Sequence, residues 1–420
     1  MKLLYTGPLL DFSGFAHASR NLLRALAQNE DLDIVARPLQ YDALDEGQAF
    51  EVPEWMAPLL KKDLQGVDMA LQMTTCNVEA VPVPGIPNGL YTFFETDRVQ
   101  AAWAQKANEF DFLIVPSKHN AHTLLNSGVN KPILVAGPPC DVDEYEKDYT
   151  PFEIANIDGR TVFYNICQLS TKKGIDNLLR AYFAAFAGTP DEVLLVLKTY
   201  VNMQGRQQDL DMVKQYVQAV KAKCRIPVPA LPPVLPLVYT MSDDEIHGLH
   251  ARGDAYVCSS RAEGWGIPVF DALAHGKTVI SHTHGGLGEF VTKENALVYG
   301  GSAAFFYDMP HQDPGLFTGV EQCFEPSPVE LALTMRHFHM LRKGAEAGEL
   351  DEANTKEWES VLQRRKNAKE VGVKLDYRNV SSHITEQLES ILATWKETGV
   401  ARYQEPAPEP EAEPSLEDSL

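Results

Sequence analysis

Short apolar runs, each followed by a helix-like pattern, recur along this chain, and the series runs twice. The first series comprises 2–6, 33–37, 69–73, 90–94, 112–115 and 133–136, with a helix read at 18–28. These runs are nearly continuous in apolar residues rather than alternating. A strand covered on both faces gives that pattern, so they read as parallel strands packed between helices. The second series places strands at 161–166, 193–198, 237–240, 255–258, 278–281 and 296–299, with a helix at 175–187. Strand–helix alternation of this kind specifies an α/β domain with a doubly wound parallel sheet. The 420 residues suffice for two or three domains. The expectation is two Rossmann-like domains facing across a cleft, 1–155 and 156–380, joined through a turn-rich linker at 151–160.

The remaining segments are read as appendages. The stretch 227–236 carries five prolines and reads as a stiff loop without regular structure. The stretch 344–374, rich in Glu, Lys, Arg and Ala, reads as one helix. An amphipathic helix at 381–397, within a segment 381–400, is expected to return to the N-terminal domain. The last residues, 401–420, are rich in Pro and Glu and poor in apolar side chains, so a disordered acidic tail is expected.

Charge and cysteine usage narrow the function classes. There are 37 Lys+Arg against 58 Asp+Glu, a net charge of −21. Broad binding to nucleic acid or anionic lipid needs a basic surface, which this balance opposes. Residues 1–150 alone hold 11 Lys+Arg and 21 Asp+Glu. The six cysteines scatter without CxxC spacing, which reads as reduced, buried thiols rather than a disulfide framework or zinc site. His282 with His284 and His337 with His339 are close pairs without a third ligand type beside them, so no metal site is expected. The N-terminus lacks a signal-peptide pattern and no apolar stretch approaches the ~20 residues of a membrane span. A cytoplasmic protein without stable membrane association is the expectation.

The densest segment is 258–291, CSSRAEGWGIPVFDALAHGKTVISHTHGGLGEFV. A strand ends at Ser259-Ser260. A loop follows with Glu263, Gly264 and Gly266, then a helix with Asp271 placed in its first turn. Glycines let backbone N–H groups approach a ligand closely, and a helix N-terminus suits phosphate. Carboxylates suit sugar hydroxyls, so Glu263 and Asp271 are expected to face one ligand from two sides. A second Gly-rich turn, 284–289, is expected to open another helix.

Here the chain resembles a known family. Glu263-Gly-Trp-Gly-Ile-Pro-Val-Phe-Asp271 is similar to the E-x7-E signature of the large retaining glycosyltransferase group of GT-B fold (glycosyltransferase group 1, family 4), with Asp271 one methylene shorter than the usual second Glu. Residues 272–281 and Gly285-Gly286…Glu289 continue that pattern without gaps. The resemblance implies that Glu263 touches the donor sugar, that Asp271 takes the nucleotide ribose hydroxyls, and that Gly264, Trp265, Gly266 and Ile267 line the donor site.

Other stretches agree. FYNICQLSTKKG at 163–174 resembles the family's strand followed by G-R-L…K-G. Lys173 matches the Lys that grips the donor diphosphate, and a lysine is a suitable point charge for phosphate. The Gly and Arg of that motif are Cys167 and Gln168 here, so one expected phosphate cation is missing, with Lys172 or Lys198 as replacements. Ser13-Gly14-Phe15-Ala16 is similar to the family's N-terminal Gly loop, which makes Gly14 and Phe15 donor-site candidates and His17 and Arg20 lesser ones. Glu95-Thr96-Asp97 with Trp103 resembles a subgroup in which many relatives carry a His near this strand end. Glu95 stands in that place, either to orient the acceptor hydroxyl or to cap a helix. His119 reads as a surface or packing residue. GVEQCFEP at 319–326 and the residues 375–377 also match family landmarks.

What the resemblance implies is retaining transfer of a hexosyl or pentosyl group by front-face attack. The leaving diphosphate accepts the acceptor's proton, and Lys173, Glu263 and Glu95 carry the catalytic work. No cofactor beyond the nucleotide-sugar donor and no essential metal is expected. The acceptors of relatives include polysaccharides, lipids, small molecules and modified DNA bases; the acidic N-terminal half disfavours DNA and lipid. The competing class is a non-catalytic nucleotide-sugar-binding protein on the same fold, kept open by Gln168 and Asp271. A sugar phosphorylase finds no support in the sequence.

Overall fold

A computed structural model describes residues 1–39, 50–76, 80–157, 159–201, 206–307 and 315–401. The tail expected at 401–420 lies outside the described residues from 402 onward. The first sheet contains β1 (Lys2–Pro8), β2 (Asp33–Leu39), β3 (Met69–Met73), β4 (Asn88–Tyr91), β5 (Phe112–Val115) and β6 (Ile133–Val135). Their order is β2-β1-β3-β4-β5-β6, and every pairing is parallel. Helices α1 (Gly14–Ala27), α2 (Ala57–Lys61), α3 (Ala101–Ala107), α4 (Lys118–Asn126) and α5 (Val142–Glu146) accompany it. Ser13 caps α1 by accepting from the Ala16 N–H, and Ala18, Leu22, Leu23 and Leu26 turn inward from it.

The second sheet contains β7 (Thr161–Gln168), β8 (Val193–Tyr200), β9 (Val234–Leu237), β10 (Ala255–Val257), β11 (Thr278–Ser281) and β12 (Leu297–Val298), ordered β12-β11-β10-β7-β8-β9 and parallel throughout. Helices α6 (Ile175–Phe186), α7 (Arg206–Lys223), α8 (Asp243–Arg252) and α9 (Ile267–Ala274) connect its strands. An antiparallel hairpin, β13 (Gly301–Phe305) with β14 (Gln322–Pro326), follows β12. Helices α10 (Pro328–Ala347), α11 (Glu352–Lys374) and α12 (Tyr377–Thr398) complete the chain. Helix α12 sends Ile384, Leu388, Ile391 and Leu392 into the cluster that also holds Leu22, Leu23 and Leu26 of α1.

Several expectations are corrected. The proline-rich 227–236 is not wholly irregular: Val234–Leu237 is a strand with Pro236 inside it. β9 is the sheet edge, so the missing N–H of Pro236 costs no ladder bond on the outer side. The helix read over 344–374 is two helices. Gly348 at φ +69° ends the first, and Asp351 caps the second by accepting from the Asn354 N–H. No α-helix follows the second Gly-rich turn; Gly285–Glu289 is a short 3-10 turn. Asp271 is the fifth residue of α9 and so lies beyond its first turn, where no acid stands. All six cysteines are free. No helix among the described residues is long and apolar enough to cross a membrane.

Candidate donor site between the two sheets

The two sheets bring their carboxyl ends together, and the loops after β4, β7 and β10 carry the charged groups of the site. After β7, a single 3-10 turn, Thr171–Lys173, holds two consecutive lysines and ends at Gly174 in the left-handed conformation (φ +60°). A methyl group at Gly174 would lie 2.1 Å from the Ser259 carbonyl, so only glycine permits this close approach. Arg261 fixes the turn: its backbone N–H donates to the Lys172 carbonyl at 2.7 Å and its guanidinium to the Thr171 carbonyl at 2.7 Å. That guanidinium also forks onto Asp176 (3.0 and 3.0 Å) and Glu325 (2.6 and 3.0 Å). Ser259 Oγ donates to the Lys173 carbonyl at 2.9 Å.

Lys173 Nζ donates to Glu263 Oε1 at 2.6 Å, and Ser260 Oγ donates to the same oxygen at 2.6 Å. Loss of hydration works against the Lys173 ammonium, but Glu263 and then Glu95 outweigh it, and the pKa is raised above the ordinary lysine value. Lys172 Nζ donates to both Glu95 oxygens at 3.0 Å. Glu95 lies in the first domain and Lys172 in the second, so this pair bridges them. Glu95 is not the cap of α3, whose N-cap position is Gln100.

His282 supports the loop from behind. Its Nδ1 accepts from the His284 N–H at 3.1 Å, so Nε2 carries the proton and donates to the Ser260 carbonyl at 2.7 Å. Burial pushes His282 down to about 4, which keeps this neutral tautomer at neutral pH. Gly266 (φ +91°) begins α9, and a methyl there would meet Leu287 Cδ2 at 2.5 Å.

The other residues expected at the site have mixed placements. Gly14 begins α1 against α9, with a methyl there meeting Ile267 Cδ1 at 3.5 Å. Phe15 packs edge-on to Phe93 at 5.3 Å. Trp265 is buried against Phe290 at 4.7 Å and under Gly137. The Gly264 carbonyl accepts from Asn120 Nδ2 at 2.8 Å, a further contact between the domains. Asp271 Oδ1 accepts from Tyr145 Oη at 2.7 Å, and Asp271 lines a small cleft of about 10 Å³ together with His17, Asn21, Trp265 and Ile267. Burial raises its carboxyl to about 7. Glu263 and Asp271 share no hydrogen-bond partner. Lys198 ends up near the end of β8, where burial lowers its pKa. Arg261, Ser260 and Tyr145 were not singled out by sequence reasoning. The first two lie inside the CSSRAEG string, and a basic residue two positions before a site carboxylate was the available signal.

The hairpin adds a second bridge. Phe306, Phe317 and Cys323 join Phe94, Val99 and Trp103 in one buried cluster, and the Gln322 N–H donates to Asp97 Oδ1 at 2.6 Å. Among the described residues, no group of three or more His, Cys, Asp or Glu is arranged to hold a metal ion.

Residues 233–305, which include the Glu263–Asp271 loop, match the family described as glycosyl transferases group 1. No curated protein matches the chain. Solved structures do. The Anabaena HepE protein in complex with UDP and glucose is 17% identical, covers 93% of this chain and 100% of its own, and gives a TM-score of 0.60. The E. coli trehalose-6-phosphate protein bound with UDP-2-fluoro glucose is 11% identical over 93% of this chain and 99% of its own, with a TM-score of 0.61. An α,α-trehalose-phosphate synthase from Burkholderia xenovorans in complex with glucose-6-phosphate is 10% identical over 92% and 100%, with a TM-score of 0.58. At such identities the likeness is one of fold, and the fold is the two-domain GT-B arrangement.

Proposed function

We propose that this protein is a retaining glycosyltransferase that moves a hexosyl or pentosyl group from a nucleotide-sugar to an acceptor hydroxyl. The observation that carries the reading is the Lys173–Glu263 pair in the cleft between the sheets, which joins the turn after β7 to the loop that opens α9. A lysine ammonium and helix N-terminal amides suit a diphosphate. A carboxylate beside them suits sugar hydroxyls and the positive charge that develops on the sugar ring. The family match over 233–305 and the fold neighbours, two of which hold UDP or a UDP-sugar, favour the same reading.

In this reading the acceptor oxygen attacks on the face from which the diphosphate leaves, and the diphosphate takes the acceptor's proton. Lys173 and the N-terminal end of the α9 dipole stabilise the charge that grows on the leaving group, and Glu263 the charge that grows on the ring. No step requires a protein nucleophile or a metal, and the reading places the protein in the cytoplasm. Glu95, in the first domain, is the group on the acceptor side. The acceptor itself is a hydroxyl on a polysaccharide or small molecule before a lipid or a DNA base, given the acidity of the first domain.

The test is turnover of a nucleotide-sugar panel (UDP-glucose, ADP-glucose, GDP-mannose), read as diphosphate release with and without EDTA. Release that survives chelation and falls in Glu263→Gln supports the proposal. Binding without release across acceptors supports the second reading, a nucleotide-sugar-binding protein without turnover. That second reading draws on uncharged Gln168 and on Asp271, one methylene shorter than the usual Glu. Loss of release on chelation, restored by manganese, removes the metal-free mechanism.

A further inference from the structure

A nucleoside diphosphate carries at least two negative charges into the cleft, and Lys173 answers only one of them. The end of β7 offers an uncharged Gln168. The lysines and carboxylates of the site balance one another: Lys173 rests on Glu263 and Lys172 on Glu95. An anion entering a neutral site gains little unless it displaces one of the carboxylates. We propose that Lys172 is the second diphosphate-binding cation, and that Glu95 is the counter-ion it leaves when the donor binds. This assignment rests on the donor reading above; it chooses Lys172 over Lys198 and adds the exchange with Glu95.

Three observations support it. First, the two lysines are consecutive on one turn whose three carbonyls are all held, Thr171 and Lys172 by Arg261 and Lys173 by Ser259. The turn is a rigid mount that fixes both lysine stems. Second, Glu95 acts on both lysines: it bonds Lys172 directly and also stabilises the Lys173 ammonium. The four groups therefore form one field. Third, the Lys172–Glu95 contact is the kind that yields. Both side chains keep about a fifth of their exposure, 17% and 22%, and water and a competing phosphate oxygen can replace the carboxylate. Two other contacts between the domains, Asn120 with Gly264 and Asp97 with Gln322, involve none of the four charged groups and do not depend on the exchange.

The exchange has a thermodynamic sign that a simple phosphate site lacks. If Lys172 is free for a tenth of the time, the apparent affinity is about tenfold weaker than the intrinsic one. Deleting Glu95 should therefore tighten nucleotide binding. The measurement is calorimetric titration of UDP, GDP and ADP into the full-length protein and into Glu95→Gln, Glu95→Ser, Lys172→Met and the Lys172→Met/Glu95→Gln pair, each checked for an intact melting transition. For whichever diphosphate binds the wild type, Glu95→Gln and Glu95→Ser should bind about tenfold tighter. Lys172→Met should cost about tenfold more affinity in the Glu95→Gln background than in the wild type, because only there is the lysine fully available. Unchanged or weakened binding in both Glu95 variants overturns the counter-ion role. No effect of Lys172→Met in the Glu95→Gln background overturns the phosphate role, and Lys198 then becomes the cation to test. If none of the three diphosphates binds the wild type, the donor reading falls and this assignment with it.

Discussion

Replacing Arg261 with Met tests whether the lysine turn is held by one guanidinium. Arg261 is 11% exposed and makes five side-chain hydrogen bonds, one to the Thr171 carbonyl and two each to Asp176 and Glu325. Methionine fills much of the stem's volume but leaves two carboxylates without a shared cation. Removing one partner from a buried ionic network costs about 3–5 kcal/mol. Asp176 and Glu325 keep 34% and 37% of their exposure, so water recovers part of this, and about 3 kcal/mol is the expected loss. For a domain of this size about 2–4 °C is lost per kcal/mol. The second domain's melting transition should fall by about 6–12 °C in calorimetry. Arg261→Lys keeps the charge but not the planar fork, and should recover less than half of that loss. Because the same turn carries both lysines, Arg261→Met should also weaken nucleotide binding. A shift below about 2 °C, or full recovery by lysine, would refute the argument that the fork organises the turn.

Three further outcomes follow from the same geometry. Lys173→Ala removes a charge-assisted phosphate bond of about 1.5–3 kcal/mol, so UDP affinity in calorimetry should fall about ten- to a hundredfold; an unchanged affinity in a folded variant removes Lys173 from the donor site. Phe317→Ala empties the hairpin's anchor between Phe94 and Phe306 and should cost about 3–5 kcal/mol by urea unfolding; a loss under 1 kcal/mol would show that the hairpin does not clamp the domains. Asp271 is raised from 3.8 to about 7 by burial, so its folded form binds the proton more tightly than the unfolded chain does. Its contribution to stability is full below pH 4 and is lost as pH rises through 7. Melting curves of the wild type should therefore fall relative to Asp271→Asn between pH 4 and pH 7 and run parallel above; parallel curves throughout would place Asp271 in water.

The strands were legible where burial on both faces shows as a short, largely apolar run without strict alternation. Met69–Met73, Phe112–Val115 and Thr278–Ser281 fall at their expected limits, because each such run is wholly buried and bounded by polar or turn residues. The hairpin at β13 and β14 was not legible. Its residues, GSAAF and QCFEP, are half exposed, and what stabilises them is a cluster whose other members, Phe94 and Trp103, lie some 200 residues earlier. Pro236 misled for a related reason: proline forbids a central strand but not an edge, and edge position is a property of the whole sheet. At the site, the glycines and Glu263 were legible because close backbone approach and a lone carboxylate leave local marks. The work of Arg261 was not, since Thr171, Asp176 and Glu325 meet only through the topology.

The departures from the family pattern take on a physical meaning once the charges are placed. Helix α9 begins at a glycine that offers no side-chain cap, and no acidic residue stands in its first turn. Pro268 has no N–H and the Val269 N–H donates to the Gly266 carbonyl at 3.0 Å, so the terminus offers an external anion the Ile267 N–H and the helix dipole. The acids of the cleft are instead placed on the lysines: Glu263 on Lys173 and Glu95 on Lys172. The distribution keeps the cleft neutral while leaving the helix terminus open. A ligand suited to this arrangement must be anionic at the helix and must offer donors to carboxylates displaced from the lysines. A sugar diphosphate would meet both demands in one molecule, with its phosphates toward the helix terminus and lysines and its hydroxyls toward Glu263. A neutral sugar would leave the helix terminus unsatisfied, and a bare phosphate would leave the carboxylate without a donor.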